Sequence, residues 1–382
     1  MNILIFGWRD PRHPLAGGAE QVVHEHAKGW IEAGHEVTLF SSRFEDSPKE
    51  EILDGVKIIR GGCQYIGVQI SAFFFYLKNR KKFDLIIDQF HGIPFFTPLY
   101  VKKPKIALIQ EVARKVWFLN SFSWPFNWLI GLIGYFLEPF IFMLYKRSLL
   151  PCSKNIPFMT GSESAKIDII KFGIDPDKVT VIPHGVILPT LKINNQKSKI
   201  KTIIYLGILS KDKGIEDALE CFSILNKTGE YQFWVVGRAE NERYMKKIVA
   251  KAKKLELEKC IKFWGYVTNQ KKFELLSESH ILINPSVHEG WGLVNIEANI
   301  VGTPVVAYNS AGLTDSVKDG TSGVIIKDNT PSKLAIIISE ILINVDKYRS
   351  LQRGAFAWGK NFSWEKSKKT SFKLISKISK KS

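Results

Sequence analysis

Twice along this chain, short and uninterrupted apolar runs alternate with amphipathic stretches of helical period. Between the two series the pattern stops in a polar, lysine-rich segment, PTLKINNQKSK at 189–199. Strand-length runs that are apolar throughout must be buried on both sides, as happens in parallel sheets covered by helices on each face. The first series predicts strands over 2–6, 36–40, 84–88, 105–109, 158–160 and 179–182, with helices over 20–33, 128–146 and 164–172. The second predicts strands over 202–206, 233–236, 261–263, 281–284, 304–307 and 323–326, with helices over 216–226 and 244–255 among them. No repeated sequence relates the halves. The expectation is an α/β protein of two Rossmann-like, doubly wound domains facing each other across a cleft: 1–188, a linker at 189–200, 201–360, and a basic helix at 361–382. In such sheets ligands bind outside the carboxyl ends of the strands.

A chain of 382 residues accommodates two domains. Its formal charge of +17 points to a polyanionic partner: nucleic acid, anionic lipid or a phosphorylated substrate. Outside the tail the lysines are dispersed rather than gathered on a recognisable motif, so no nucleic-acid partner is expected. The four cysteines, Cys63, Cys152, Cys221 and Cys260, form no CxxC pair and read as reduced thiols of a cytoplasmic protein. The opening MNILIFGWRD reads as a first strand rather than a signal peptide. Residues 116–137 carry no charge and are crowded with aromatics, including Trp117, Trp124, Trp128 and Phe136. Interrupting polar residues fit a membrane interface better than a span. The alternative is a buried helix with an aromatic loop. Lysines beside such a segment favour an anionic membrane surface and a peripherally associated protein.

The stretch NPSVHEGWGLVNIEA at 284–298 is the most informative. A strand ends at Asn284, a loop holds Glu289, Gly290 and Trp291, and Gly292 and Leu293 open a helix containing Glu297. Glycines let a backbone approach a ligand closely, and a helix start offers unpaired N–H groups to phosphate. Glu297, more than a turn inside the helix, is placed to accept from ribose hydroxyls; the structural alternative is a solvated helix residue. No GxGxxG follows any strand, which disfavours a dinucleotide oxidoreductase. Asp175-Pro176-Asp177 is turn chemistry rather than a metal triplet. No metal site and no cofactor are expected.

This stretch resembles the E-x7-E element of the retaining GT-B glycosyltransferases, the family of sucrose synthases and bacterial mannosyltransferases. Four further segments are similar to the family in its order: AGGAEQVVHEHAKGWIEAGHEVTLF at 16–40, GSESAKIDIIKFGIDPDKVTVIPHGV at 161–186, YLGILSKDKG at 205–214 and GTPVVAYNSAGLTDSVKDGTSG at 302–323. The resemblance implies a nucleotide-sugar donor, UDP- or GDP-linked, and transfer of a hexose with retained configuration to a saccharide; the basic and aromatic surface points to a lipid-linked or N-glycan precursor oligosaccharide at the cytoplasmic membrane face. It implies that Glu297 binds the donor ribose, Glu289 sits at the sugar, and Lys213 with the Gly207 loop meets the diphosphate. Gly17 and Gly18 would bring the first loop to phosphates and acceptor. Two places depart from the pattern. Ile208 stands where the family carries arginine, which leaves Arg238 as another base for the diphosphate. Gln110 followed by Glu111 stands where the family often places histidine. His91 is either a cleft residue or a satisfied strand-end histidine. A GT-B epimerase is the alternative enzyme, though its histidine and carboxylate constellation is not evident.

Overall fold

The computed structural model describes residues 1–64, 66–90, 92–119, 125–146, 156–187 and 197–379. The chain forms two compact units, residues 1–185 with 364–382, and residues 186–363.

The first unit contains, in chain order, β1 (Asn2–Phe6), α1 (Gly18–Glu32), β2 (Glu36–Ser41), β3 (Glu50–Leu53), β4 (Val56–Arg60), α2 (Ile66–Asn79), β5 (Leu85–Phe90), β6 (Lys105–Ile109), α3 (Phe126–Lys146), β7 (Phe158–Thr160), α4 (Glu163–Lys171) and β8 (Val179–Val181). The sheet order is β3-β4-β2-β1-β5-β6-β7-β8. Every pairing is parallel except β3 with β4. Those two form a hairpin absent from the sequence expectation. Its two-residue loop, Asp54-Gly55, has positive φ at both positions, the turn that matches strand twist.

The second unit contains β9 (Lys201–Leu206), α5 (Ile215–Leu225), β10 (Tyr231–Val236), α6 (Glu242–Lys254), β11 (Ile261–Gly265), α7 (Asn269–Glu278), β12 (Ile281–Asn284), α8 (Leu293–Ile300), β13 (Val305–Tyr308), α9 (Leu313–Ser316), β14 (Gly323–Ile326), α10 (Pro331–Ile343) and α11 (Val345–Gly359). Its six strands run parallel in the order β11-β10-β9-β12-β13-β14, the arrangement of dinucleotide-binding sheets. Four helices start on a side-chain cap: Asn241, Thr268, Thr330 and Asn344 accept the N–H three residues on.

The basic tail is not a separate appendage. The last helix, α12 (Trp364–Ser379), returns to the first unit and packs on α1. Ile375 joins the core beneath α1, and the Trp30 indole donates to Ser371 Oγ at 3.1 Å. Residues 189–196 of the expected linker lie outside the described residues, and β9 begins at Lys201.

Candidate functional site

In the second unit the strand order reverses between β9 and β12, the position beyond whose strand carboxyl ends open α/β sheets bind ligands. Three loops meet there, after β9, β12 and β13. Val287 N–H and Ser286 Oγ donate to the Asp212 carbonyl at 2.9 and 3.2 Å. Ser310 Oγ donates to the Ser286 carbonyl at 2.8 Å, and Glu289 N–H to the Ala311 carbonyl at 3.1 Å. Two glycines permit this lacing. Gly214 (φ 71°) and Gly312 (φ 77°) adopt left-handed backbone, and a Cβ would lie 2.1 Å from the Pro285 carbonyl oxygen and 2.2 Å from that of Glu289, respectively.

The chemical groups converge on this frame. Lys213 Nζ lies 3.0 Å from Glu289 Oε1 and 3.7 Å from Asp212 Oδ2. Both Lys213 and Glu289 stay partly exposed, so a ligand can reach them. Tyr205, buried beneath the loop, donates to the carbonyls of Ile208 at 2.8 Å and Lys213 at 3.3 Å. Burial, and then the charges of Asp212 and Glu289, push its hydroxyl pKa far up, so it stays a donor. The loop bearing Gly207 and Ile208 is fixed to the end of β10 by Leu209 N–H donating to the Arg238 carbonyl at 2.9 Å. The Arg238 guanidinium stands over the Tyr266 ring at 5.8 Å from its centroid.

Helix α8 starts at Gly292 (φ 81°), which offers no side chain to cap its first N–H groups. Gly290 and Leu293 flank that start and are partly exposed, whereas Trp291 is buried with its indole edge-on to Phe362. Glu297 is no solvated helix residue. It is buried, and its Oε1 lies 2.5 Å from Lys272 Nζ on α7. Behind it, Asn284, Asn295 and Ser316 form a buried chain of hydrogen bonds, each 2.9 Å long, that ties β12, α8 and α9 together. Among the described residues, no three His, Cys, Asp or Glu side chains converge to hold a metal ion.

The first unit places its own polar residues at the carboxyl ends of its strands. Gly17 is the N-cap of α1 and Gly18 its first residue; Gly17 N–H donates to Glu20 Oε2 at 2.7 Å. The loop before it is held by a buried two-pronged ion pair, Arg60 Nε and Nη2 to Asp10 at 2.8 and 2.9 Å. Gln110 Oε1 lies 2.9 Å from His184 Nε2, and burial pushes the His184 pKa down to about 3, so the ring is neutral. Glu111 is half-buried next to Gln110. His91 lies outside the described residues. The sequence reading missed Lys272, the Asp10–Arg60 pair and the Gln110–His184 contact. In each, the partners lie on different elements with no local spacing to betray them.

The profile of "Glycosyltransferase Family 4" matches residues 16–188, and that of "Glycosyl transferases group 1" matches residues 189–358. An uncharacterized glycosyltransferase of Methanocaldococcus jannaschii is 23% identical over 361 residues, covering 90% of this chain and 89% of that protein. Several other curated glycosyltransferases match over about half their length. Among solved structures, sucrose-phosphate synthase from Thermosynechococcus elongatus superposes with a TM-score of 0.81 at 18% identity, covering 100% of both chains. Anabaena HepE in complex with UDP-glucose superposes with a TM-score of 0.71 at 17% identity, covering 99% of this chain and 100% of that one. The fold is GT-B.

Proposed function

The chain pairs a glycosyltransferase family 4 domain with a glycosyltransferase group 1 domain, and on that premise we propose that it moves a hexose, with retention, from a UDP- or GDP-linked donor to a lipid-linked saccharide. The observation that carries the donor half is the convergence of Lys213, Glu289 and the start of α8 at one switch point. The E-x7-E reading assigns the ribose to Glu297, the sugar to Glu289 and the diphosphate to Lys213 with the backbone amides at the start of α8.

In this reading the bond between the anomeric carbon and the diphosphate oxygen breaks, and the acceptor oxygen bonds to the same face of that carbon. The acceptor proton passes to the departing phosphate. Positive charge growing on the sugar is met by Glu289, and negative charge on the leaving group by Lys213. Such groups act most where they are already aimed at the developing charge. The loops laced through Gly214 and Gly312 provide that fixed aim. Acceptor binding is assigned to the first unit, to the loop ending at Gly17 and Gly18 and to Glu111. The site needs no divalent metal in this account, and turnover is expected to survive excess chelator.

A panel of nucleotide sugars added to the purified chain, read as a thermal shift, tests the donor assignment. A ligand raises the melting temperature only if it binds the native state more tightly than the unfolded one. One UDP- or GDP-sugar should stabilise the chain well beyond the rest. No shift with any of them at millimolar concentration would overturn the reading.

A further inference from the structure

Helix α2 carries a line of exposed apolar side chains, Ile66, Ile70, Phe74 and Leu77, spaced so that they fall on one helix face. Helix α3 exposes Trp128, Leu132, Phe136, Phe140 and Met143 in the same manner, with Phe74 and Phe136 more than 60% exposed (63% and 64%). Solitary exposed apolar residues are ordinary; contiguous rows on two helices mark an interaction surface.

The sheet register puts the two rows on one side of the unit. Along β5, Ile86 packs under α2 with Leu4 and Phe6, while Phe90 packs under α3 with Ala107 and Ile109. Ile86 and Phe90 are four residues apart on one strand and therefore point to the same face. Both helices cover that face, and their outer sides look away from it together. Helix α3 is long and apolar enough to cross a bilayer by length and composition, yet its inner side is committed to protein. Phe142 and Tyr145 are buried against the sheet. Glu138 faces inward and accepts the backbone N–H groups of Ala113 and Arg114 at 2.9 and 2.8 Å. Trp117 and Phe118 lie against Gly134 and Gly131, so part of the aromatic segment is packed and part exposed; residues 120–124 lie outside the described residues.

Charge identifies the occupant. Lys78, Arg80, Lys81 and Lys82 follow the α2 row and lead into β5, and Lys102 and Lys103 lead into β6. Since β5 and β6 are parallel neighbours inside the sheet, these bases lie together at its amino-terminal end, beside the apolar rows. Lys146 ends α3. Asp84, the acid nearest these bases in sequence, accepts from the Asn2 N–H at 2.8 Å.

We propose that α2 and α3 together form a docking face for an anionic lipid bilayer, with their apolar rows in the headgroup–acyl boundary and the basic cluster beside them on the headgroups. It deepens the lipid-linked acceptor of the proposed function and rests on that reading for its role. Its test requires neither donor nor acceptor.

The full chain is sedimented with vesicles of phosphatidylcholine alone and of phosphatidylcholine with phosphatidylglycerol. Binding is expected only to the anionic vesicles, weakening as salt screens the charges. Phe74→Ser and Phe136→Ser should each lower the partition coefficient at least tenfold, the scale of burying one such ring. Lys81→Glu with Lys82→Glu touches no core residue and should lower it by more than tenfold, at roughly fivefold for each base lost. No binding to anionic vesicles, or equal binding by the Phe74→Ser and charge-reversed variants, would overturn the two-helix face. So would a dimer in solution that Phe136→Ser dissociates while vesicle binding is absent. Loss of donor turnover with vesicle binding intact would instead count against the transferase reading.

Discussion

Lys272 Nζ on α7 lies 2.5 Å from Glu297 Oε1 on α8, a part-buried contact between two helices that the chain separates by 25 residues. The pair fixes the carboxylate assigned to the donor ribose. Removing Lys272 leaves the buried Glu297 carboxylate without its compensating charge. Lys272→Ala is therefore expected to raise the donor KM by about tenfold or more with a smaller change in kcat, because the ribose does not react. A double-mutant cycle with Glu297→Gln should give a coupling of about 0.5–3 kcal/mol. Independent effects of the two substitutions would mean that Lys272 does not position Glu297.

Lys213 is the base that the account sets against the leaving diphosphate, in a loop where Ile208 is half exposed and supplies no charge. Lys213→Ala should cost about 2.7–4 kcal/mol of transition-state stabilisation, the scale for one oxyanion donor, which is about a hundred- to a thousandfold in kcat. Near-normal turnover would transfer the role to another base, with Arg238 the first to examine.

Stability should fall in mild acid. His184 and His26 are buried and each has its pKa pushed down to about 3, His184 by burial and His26 by burial and then by His184 and Lys368. In the unfolded chain both protonate near the ordinary value of 6.5. Between that value and about 3 the unfolded chain binds more protons, so stability declines as pH drops through this window. Each histidine contributes about 1.4 kcal/mol per pH unit once the pH is well below 6.5. The urea midpoint should fall from about pH 7 to about pH 5. His184→Gln removes one titrating ring and should flatten that slope; an unchanged slope would contradict the assignment.

The fold was legible because parallel strands buried on both faces write themselves as apolar runs. Strands at Asn2–Phe6, Lys105–Ile109 and Ile281–Asn284 occur where the runs predict them. The β3–β4 hairpin was missed although Asp54-Gly55 is a strong turn signal, because Glu50 and Glu51 make β3 look like a polar loop. The tail read as a basic helix, and its return to α1 was invisible. Its partners Trp30 and Ser371 are 341 residues apart. At the site, Glu289, Glu297 and Lys213 stand near glycines that mark close backbone approach. Lys272 had no such signal, since lysine on a helix face ordinarily points to water.

The central claim, that the two glutamates serve one donor in different ways, is tested most directly by measuring donor affinity by calorimetry alongside initial transfer rates for Glu289→Gln and Glu297→Ala. An interaction that strengthens only as charge develops affects turnover, whereas one made equally in ground and transition states affects binding. The account predicts that Glu289→Gln depresses kcat by far more than it weakens donor binding, and that Glu297→Ala weakens binding clearly. Two variants that bind donor and turn over like the parent would contradict it.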